Sequence, residues 1–232
     1  MVLLLLSTLP LLGACASASG VQVSPAQEAA QADLVDAATV VPGLQQEIRY
    51  AGKDNFVGAP VAGYEAPKCL LLAPVARALA RVQQDVQREG LSLKVFDCYR
   101  PVRAVKHFVA WARDPADQRT KAAYYPNLDK ARLLDGYIAE SSGHSRGATL
   151  DLTLVRCNGG ACTELDMGTP FDFFDPRANT AHPQLGDEQR RNRDQLLQAM
   201  ARHGFHNYPM EWWHYTFRPE PSPKTAYDVP IR

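Results

Sequence analysis

The stretch Ser142-Gly143-His144-Ser145-Arg146-Gly147-Ala148-Thr149-Leu150-Asp151-Leu152-Thr153-Leu154-Val155 is a glycine-bounded loop running into an alternating segment. Leu150, Leu152 and Leu154 recur at period two, which places them on one face of a strand over residues 148–155 and puts Asp151 and Thr153 on the other. Gly143 and Gly147 let the preceding loop turn sharply, so the His144 imidazole can come back beside the Asp151 carboxylate. A second cluster, Glu211-Trp212-Trp213-His214, opens a final strand expected over residues 212–217. Two imidazoles and a carboxylate can close three corners of a zinc tetrahedron, and Glu211 can handle the proton of a bound water. That is a hydrolase constellation. On a flat strand Glu211 and His214, three apart, would face opposite ways, so a shared site requires a turn or bulge at residues 209–212.

The rest of the fold is read outward from this strand. Val75, Leu79, Val82 and Val86 form one face of a helix, with Pro74 near its start and Gly90 past its end. Residues 91–97 alternate as a strand. Pro101 starts a second helix with Val102, Val105, Val109 and Ala112 on one side. Residues 46–50 are compatible with an early strand, and the Gly- and Pro-rich residues 55–64 with a loop. A last helix is expected over residues 189–203, closed by Gly204, with Leu196, Leu197 and Met200 inward. The Pro-rich tail is expected to lie over the surface. Helices come early, strands cluster late, and β-α-β alternation is irregular. This predicts an α+β single domain with packed helices on an antiparallel sheet.

Among 232 residues, 25 Lys and Arg balance 25 Asp and Glu, so the chain has no electrostatic footprint for nucleic acid. Residues 2–12 are almost entirely apolar and too short to span a bilayer as a mature helix; they read as the apolar region of an export signal, although no Lys or Arg precedes them. Leu12-Gly13-Ala14-Cys15 resembles the lipobox of bacterial lipoproteins. Residues 15–36, rich in Ala, Ser and Gln without apolar periodicity, read as a tether and residues 37–232 as one folded domain, while the lipobox resemblance implies a signal over residues 1–14 and lipidation of Cys15. It also implies a periplasmic protein that meets the membrane only through its anchor; ordinary cleavage nearby is the alternative. In an oxidising compartment the remaining Cys69, Cys98, Cys157 and Cys162 can pair in three ways. The flexible turn between Cys157 and Cys162 favours that pair, leaving Cys69 with Cys98. A four-thiolate zinc is less favoured, since no second Cys lies close to Cys69 or Cys98.

Single residues are weak signals. A lone His is more often a surface or capping residue, and His107, His182, His203 and His206 are read that way. Asp151 alone could be a core aspartate accepting backbone hydrogen bonds. The conjunction of motifs is stronger. Ser142-x-His144-x-x-Gly147-x-x-x-Asp151 with Glu211-x-x-His214 resembles the zinc D-alanyl-D-alanine dipeptidases, relatives of the zinc DD-carboxypeptidases and the Hedgehog signalling domain. Further hallmarks stand as Asp54-Asn55-Phe56-Val57-Gly58, Asp97-Cys98-Tyr99-Arg100-Pro101, Met167-Gly168-Thr169-Pro170-Phe171-Asp172 and Glu211-Trp212-Trp213-His214-Tyr215. Motifs in this order run from roughly residue 45 to the end.

The resemblance implies a Hedgehog/DD-peptidase-like fold and one role for each residue. His144, Asp151 and His214 would bind Zn²⁺. Glu211 would be the base, then the acid for the leaving amine. Arg100 would stabilise the oxyanion, and Asp172 would receive the substrate ammonium. Ser142 and Asp97 would line the pocket and help orient it. Cys98 is a departure, since relatives often carry Gly there. The implied substrate is the small dipeptide D-Ala-D-Ala, in peptidoglycan turnover. The competing expectations are a DD-carboxypeptidase or endopeptidase acting on longer peptides, and a non-catalytic zinc-stabilised binding module.

Overall fold

The computed structural model describes residues 20–158 and 160–232. Along the chain the strands are β1 (Gln22–Val23), β2 (Leu34–Asp36), β3 (Gln45–Gln46), β4 (Leu70–Leu72), β5 (Ser92–Asp97), β6 (Thr149–Asn158), β7 (Ala161–Glu164), β8 (Phe205–Asn207), β9 (His214–Phe217) and β10 (Thr225–Ala226). The helices are α1 (Ala73–Arg88), α2 (Val102–Arg113), α3 (Lys121–Tyr124) and α4 (Asp187–Ala201). The main sheet runs β3-β5-β6-β9-β8, with β7 pairing the far end of β6. Its pairs are antiparallel except β3 with β5, which is parallel. The expected antiparallel sheet is therefore a mixed one, accompanied by two small ladders, β2 with β4 and β1 with β10. The α+β class stands.

β6 is the centre. Leu150, Leu152 and Leu154 are fully buried, as their period requires. Asp151 and Thr153, on the polar face, are buried too. The polar face of β6 is thus not a solvent face but the floor of an interior site. Val75, Leu79, Val82 and Val86 bury the inner stripe of α1, with Pro74 in its first turn, where a missing N–H costs nothing. α2 turns Val105, Phe108, Val109 and Trp111 inward, while Val102 is half-buried. In α4, Leu196 and Met200 are buried, Leu197 is half-buried, and the inward face also carries Arg193, whose guanidinium donates to the carbonyls of Met167, Asn179 and Arg177.

Three expectations need correction. Residues 15–36 are not a tether throughout: β1 pairs with β10, β2 pairs with β4, and Ala32 and Leu34 are buried. Composition missed this because the apolar residues there are few and act by pairing with distant strands. The early strand is only Gln45–Gln46; a 3-10 turn over Arg49–Ala51 then swings Tyr50 into the core. The tail is not a surface strap, because Ala226, Tyr227, Val229 and Ile231 are buried. Residues 55–64 form turns, pinned by buried Asn55, whose amide donates to three carbonyls while its oxygen accepts from the Val57 and Gly58 N–H groups. The export segment and Cys15 lie outside the described residues. No described helix is long and apolar enough to cross a membrane.

Candidate metal centre

The register of the main sheet brings the site together. Asp151 of β6 is the direct partner of Asp97 on β5 and of His214 on β9, so three strands line up three polar side chains in one row. His144 arrives from the side, on a 3-10 turn over Gly143–Arg146 whose N-cap, Ser142, accepts the His144 N–H at 3.2 Å. Gly147 ends that turn at φ 71°, and a Cβ there would lie 2.9 Å from Leu34 Cδ2. Only glycine satisfies both conditions.

Asp151 Oδ1 lies 3.1 Å from His214 Nδ1 and 3.5 Å from His144 Nε2, and the two nitrogens are 3.3 Å apart. Among the described residues, His144, Asp151 and His214 are the group whose ligand atoms converge closely enough to hold a metal ion. Asp151 Oδ1 is buried without a hydrogen-bond partner. A buried carboxylate oxygen left unpaired between two imidazole nitrogens is costly by itself and fits a divalent cation. His144 Nδ1 is 2.8 Å from the Cys98 carbonyl oxygen, which can only accept; Nδ1 therefore carries the hydrogen and Nε2 keeps its lone pair. Burial also holds the His144 imidazole below its ordinary pKa, outweighing the Asp151 charge and favouring the neutral, ligating form.

The turn required between Glu211 and His214 is present. Glu211 N–H donates to the Tyr208 carbonyl at 3.0 Å and His214 N–H to the Glu211 carbonyl at 3.3 Å, while the Asn207 amide braces both ends. Glu211 Oε2 consequently lies 3.5 Å from His214 Nδ1. Burial pushes the Glu211 carboxyl up to about 7, against the pull of His214.

Arg100 reaches the cluster from the link between β5 and α2, just before the N-cap Pro101. Its Nε and Nη2 donate to Asp97 Oδ2 at 2.9 and 2.8 Å, and Nη2 lies 3.6 Å from Asp151 Oδ2. The guanidinium packs over the Tyr50 and Phe108 rings, 5.3 and 5.0 Å from their centroids. Asp172 adopts φ 59° and is buried, accepting the Tyr50 hydroxyl at 2.9 Å. A cavity of about 330 Å³ is lined by Ser142, His144, Asp151, His214, Glu211, Arg100 and Asp172, with Tyr50, Phe108 and Trp213 among its apolar walls. Its size suits a small ligand. Asp97 differs from expectation. It is fully buried behind Arg100, taking the Tyr64 hydroxyl at 2.6 Å, and does not line the cavity. An anion paired with a buried cation is best placed away from the opening.

The remaining histidines lie elsewhere. His107 accepts the Ala62 N–H, His203 pairs with Asp85, and His206 is exposed. Disulfides join Cys69 to Cys98 and Cys157 to Cys162, the latter closing the β6–β7 hairpin. Tyr50 and Tyr64 were not singled out in the sequence. Each is one tyrosine in an irregular segment, and no spacing rule marks the carboxylate it reaches.

Comparison with known proteins agrees with this geometry. A family model described as D-ala-D-ala dipeptidase matches residues 30–232. A D-alanyl-D-alanine dipeptidase of Streptomyces coelicolor is 42% identical over 193 residues, covering 83% of this chain and 95% of the relative. One from Enterococcus faecium is 39% identical over 194 residues, with the same coverage. One from Escherichia coli is 34% identical over 183 residues, covering 79% of this chain and 83% of the relative. With the ligands Asp151 and His214 on one row of the sheet and His144 brought in beside them, a buried carboxyl and an arginine on the same cavity, and a match over most of its length, the chain belongs to the D-ala-D-ala dipeptidase family of metallopeptidases.

Proposed function

We propose that this protein is a zinc dipeptidase that hydrolyses D-alanyl-D-alanine to two D-alanines. The observation that carries this reading is the meeting of His144, Asp151 and His214 around one unpaired carboxylate oxygen, with Glu211 and Arg100 on the same cavity. Two nitrogens and one oxygen suit zinc, which when bound supplies the Lewis acidity that makes water a nucleophile at neutral pH. The chain's own residues do the rest. Glu211 takes a proton from the attacking water as the carbon–oxygen bond forms. It returns that proton to the amine nitrogen as the carbon–nitrogen bond breaks. Arg100, held by Asp97 and two rings, offers fixed positive charge where the carbonyl oxygen becomes negative. Asp172 receives the substrate ammonium, and Ser142 shapes the wall beside His144.

Asp172 also favours the free dipeptide over a longer chain. Its carboxyl is buried on the cavity wall, and a peptide extended at its N-terminus would bring no cation to it. We read the fold as Hedgehog/DD-peptidase-like on the strength of the paired His144–Asp151 and Glu211–His214 motifs. We further propose export, with Cys15 as lipid anchor and dipeptide recycling during peptidoglycan turnover as the setting. Two disulfides in a small domain are consistent with an oxidising compartment.

Zinc quantification alongside hydrolysis assays tests the enzymatic reading. One equivalent of zinc and cleavage of D-Ala-D-Ala, with L-Ala-L-Ala and a muramyl pentapeptide poor by comparison, is the expected result. A wide preference for the pentapeptide would make the protein a carboxypeptidase, and zinc without any hydrolysis a binding module. Release of a Cys15→Ala variant from the membrane fraction tests the anchor.

A further inference from the structure

The ladder between β5 and β6 slips as it reaches the site. Val95 pairs with Leu152, a register shift follows, and only Asp97 pairs again, with Asp151. Cys98 then leaves the strand, and its carbonyl oxygen is the atom 2.8 Å from His144 Nδ1. That oxygen decides which His144 nitrogen carries hydrogen and where the ring points. Its position is therefore part of the site, yet the regular sheet no longer holds it. The Cys98 N–H is turned to the neighbouring Asp97 side chain at 2.9 Å.

The strongest hold is covalent. Cys98 is bonded to Cys69, and both residues are buried. Cys69 immediately precedes β4, which pairs with β2 and not with the main sheet. β4 grips the site on two sides. The Leu70 carbonyl accepts the Tyr99 N–H at 2.9 Å, next to the cross-link. The Leu72 N–H donates to the Gly147 carbonyl at 2.9 Å, at the far end of the His144 turn. The Arg100 N–H donates to the His144 carbonyl at 3.3 Å, so the same frame carries the arginine.

We infer that the Cys69–Cys98 disulfide is a positioning element of the metal centre, holding the Cys98 carbonyl against His144 Nδ1 and thereby presenting Nε2 to the ion. The inference rests on the zinc reading above. The second disulfide is a built-in control. Cys157 lies six residues along β6 from Asp151, which is about 20 Å in an extended strand, and its hairpin is exposed.

The experiment compares the wild-type chain, Cys69→Ala/Cys98→Ala and Cys157→Ala/Cys162→Ala by zinc titration against a chromophoric chelator. Wild type must bind one equivalent; if it does not, the zinc reading fails rather than this inference. Loss of about tenfold or more in zinc affinity is expected for Cys69→Ala/Cys98→Ala. Cys157→Ala/Cys162→Ala should match wild type. Equal affinity in all three, or equal weakening in both variants, overturns the inference. If Cys69→Ala/Cys98→Ala does not fold, a phosphine reductant can open the single remaining bridge of folded, zinc-free Cys157→Ala/Cys162→Ala. Imidazole ¹⁵N spectra should then show His144 moving from one Nδ1–H tautomer to a mixture. An unchanged His144 signal in the reduced protein would equally sink it.

Discussion

Tyr50 and Asp172 stand 122 residues apart in the chain, and the hydroxyl of the first donates to the carboxylate of the second at 2.9 Å. The same tyrosine ring lies under the Arg100 guanidinium. One side chain therefore touches both the group assigned to the substrate ammonium and the group assigned to the oxyanion. Burial and the Asp151 charge push the Asp172 carboxyl well above the usual carboxylate range, and the Tyr50 hydrogen bond pulls it back.

Tyr50→Phe removes that bond while keeping the ring under Arg100. Asp172 then moves further toward its neutral form, and substrate binding should suffer more than turnover. A hydrogen bond to a charged group is worth about 1.5–3 kcal/mol, so KM for the dipeptide should rise about tenfold or more, with a smaller change in kcat. Steady-state kinetics reads this directly, and an unchanged KM would separate Tyr50 from the ammonium site.

Glu211→Gln should retain zinc and lose kcat by about 10²–10⁴. In the metal-free protein burial holds the Glu211 carboxyl at about 7. A base works only when ionised, so activity should fall as pH drops through the carboxyl's pKa. A bound dication lowers that value, which places the acid limb of kcat/KM below 7. A pH–rate profile checks the sign: loss of activity on raising the pH through this range would contradict the base role.

Zinc removal should destabilise the fold as well as abolish activity, because the unpaired Asp151 oxygen and its two imidazoles lose their partner. An ion present at a hundred times its Kd stabilises by about 2.7 kcal/mol, which is visible as a rise in Tm. Chelation should lower Tm and zinc should restore it. In His214→Ala and Asp151→Ala neither addition should shift Tm appreciably. A full zinc response in either variant would place the ion elsewhere.

Arg100→Lys should keep zinc and most of the stability yet lose about 10²–10³ in kcat. A lysine has one point of attachment where arginine uses Nε and Nη2 on Asp97 and stacks on two rings, so the charge would not stay in place. Activity near wild type would show that charge alone suffices.

The sequence alone carried the elements with clear periodicity. Val75 to Val86 at helical spacing and Leu150 to Leu154 at strand spacing are consequences of backbone geometry acting within a few residues, and the structure shows both. The need for a turn between Glu211 and His214 followed from the same geometry. Where periodicity is short or absent, paired strands leave no local mark in the chain. β2 and β4 are three residues each, and β1 and β10 two each, too short for any pattern to register. Ile231 lies in a Pro-rich tail and Leu34 in an Ala- and Gln-rich lead, yet both are core residues.

What the chain determined by itself is thus local: which residues are helical, which alternate, and which side chains can ligate a metal or move a proton. Tertiary structure alone decided that Asp97, Asp151 and His214 share one row across three strands, that Tyr50 meets Asp172, and that Cys98 supports His144 from behind. Those relations depend on sheet register and loop closure across tens of residues. Contacts over such separations are fixed by the packing of the whole domain, and no short-range spacing in the chain encodes them.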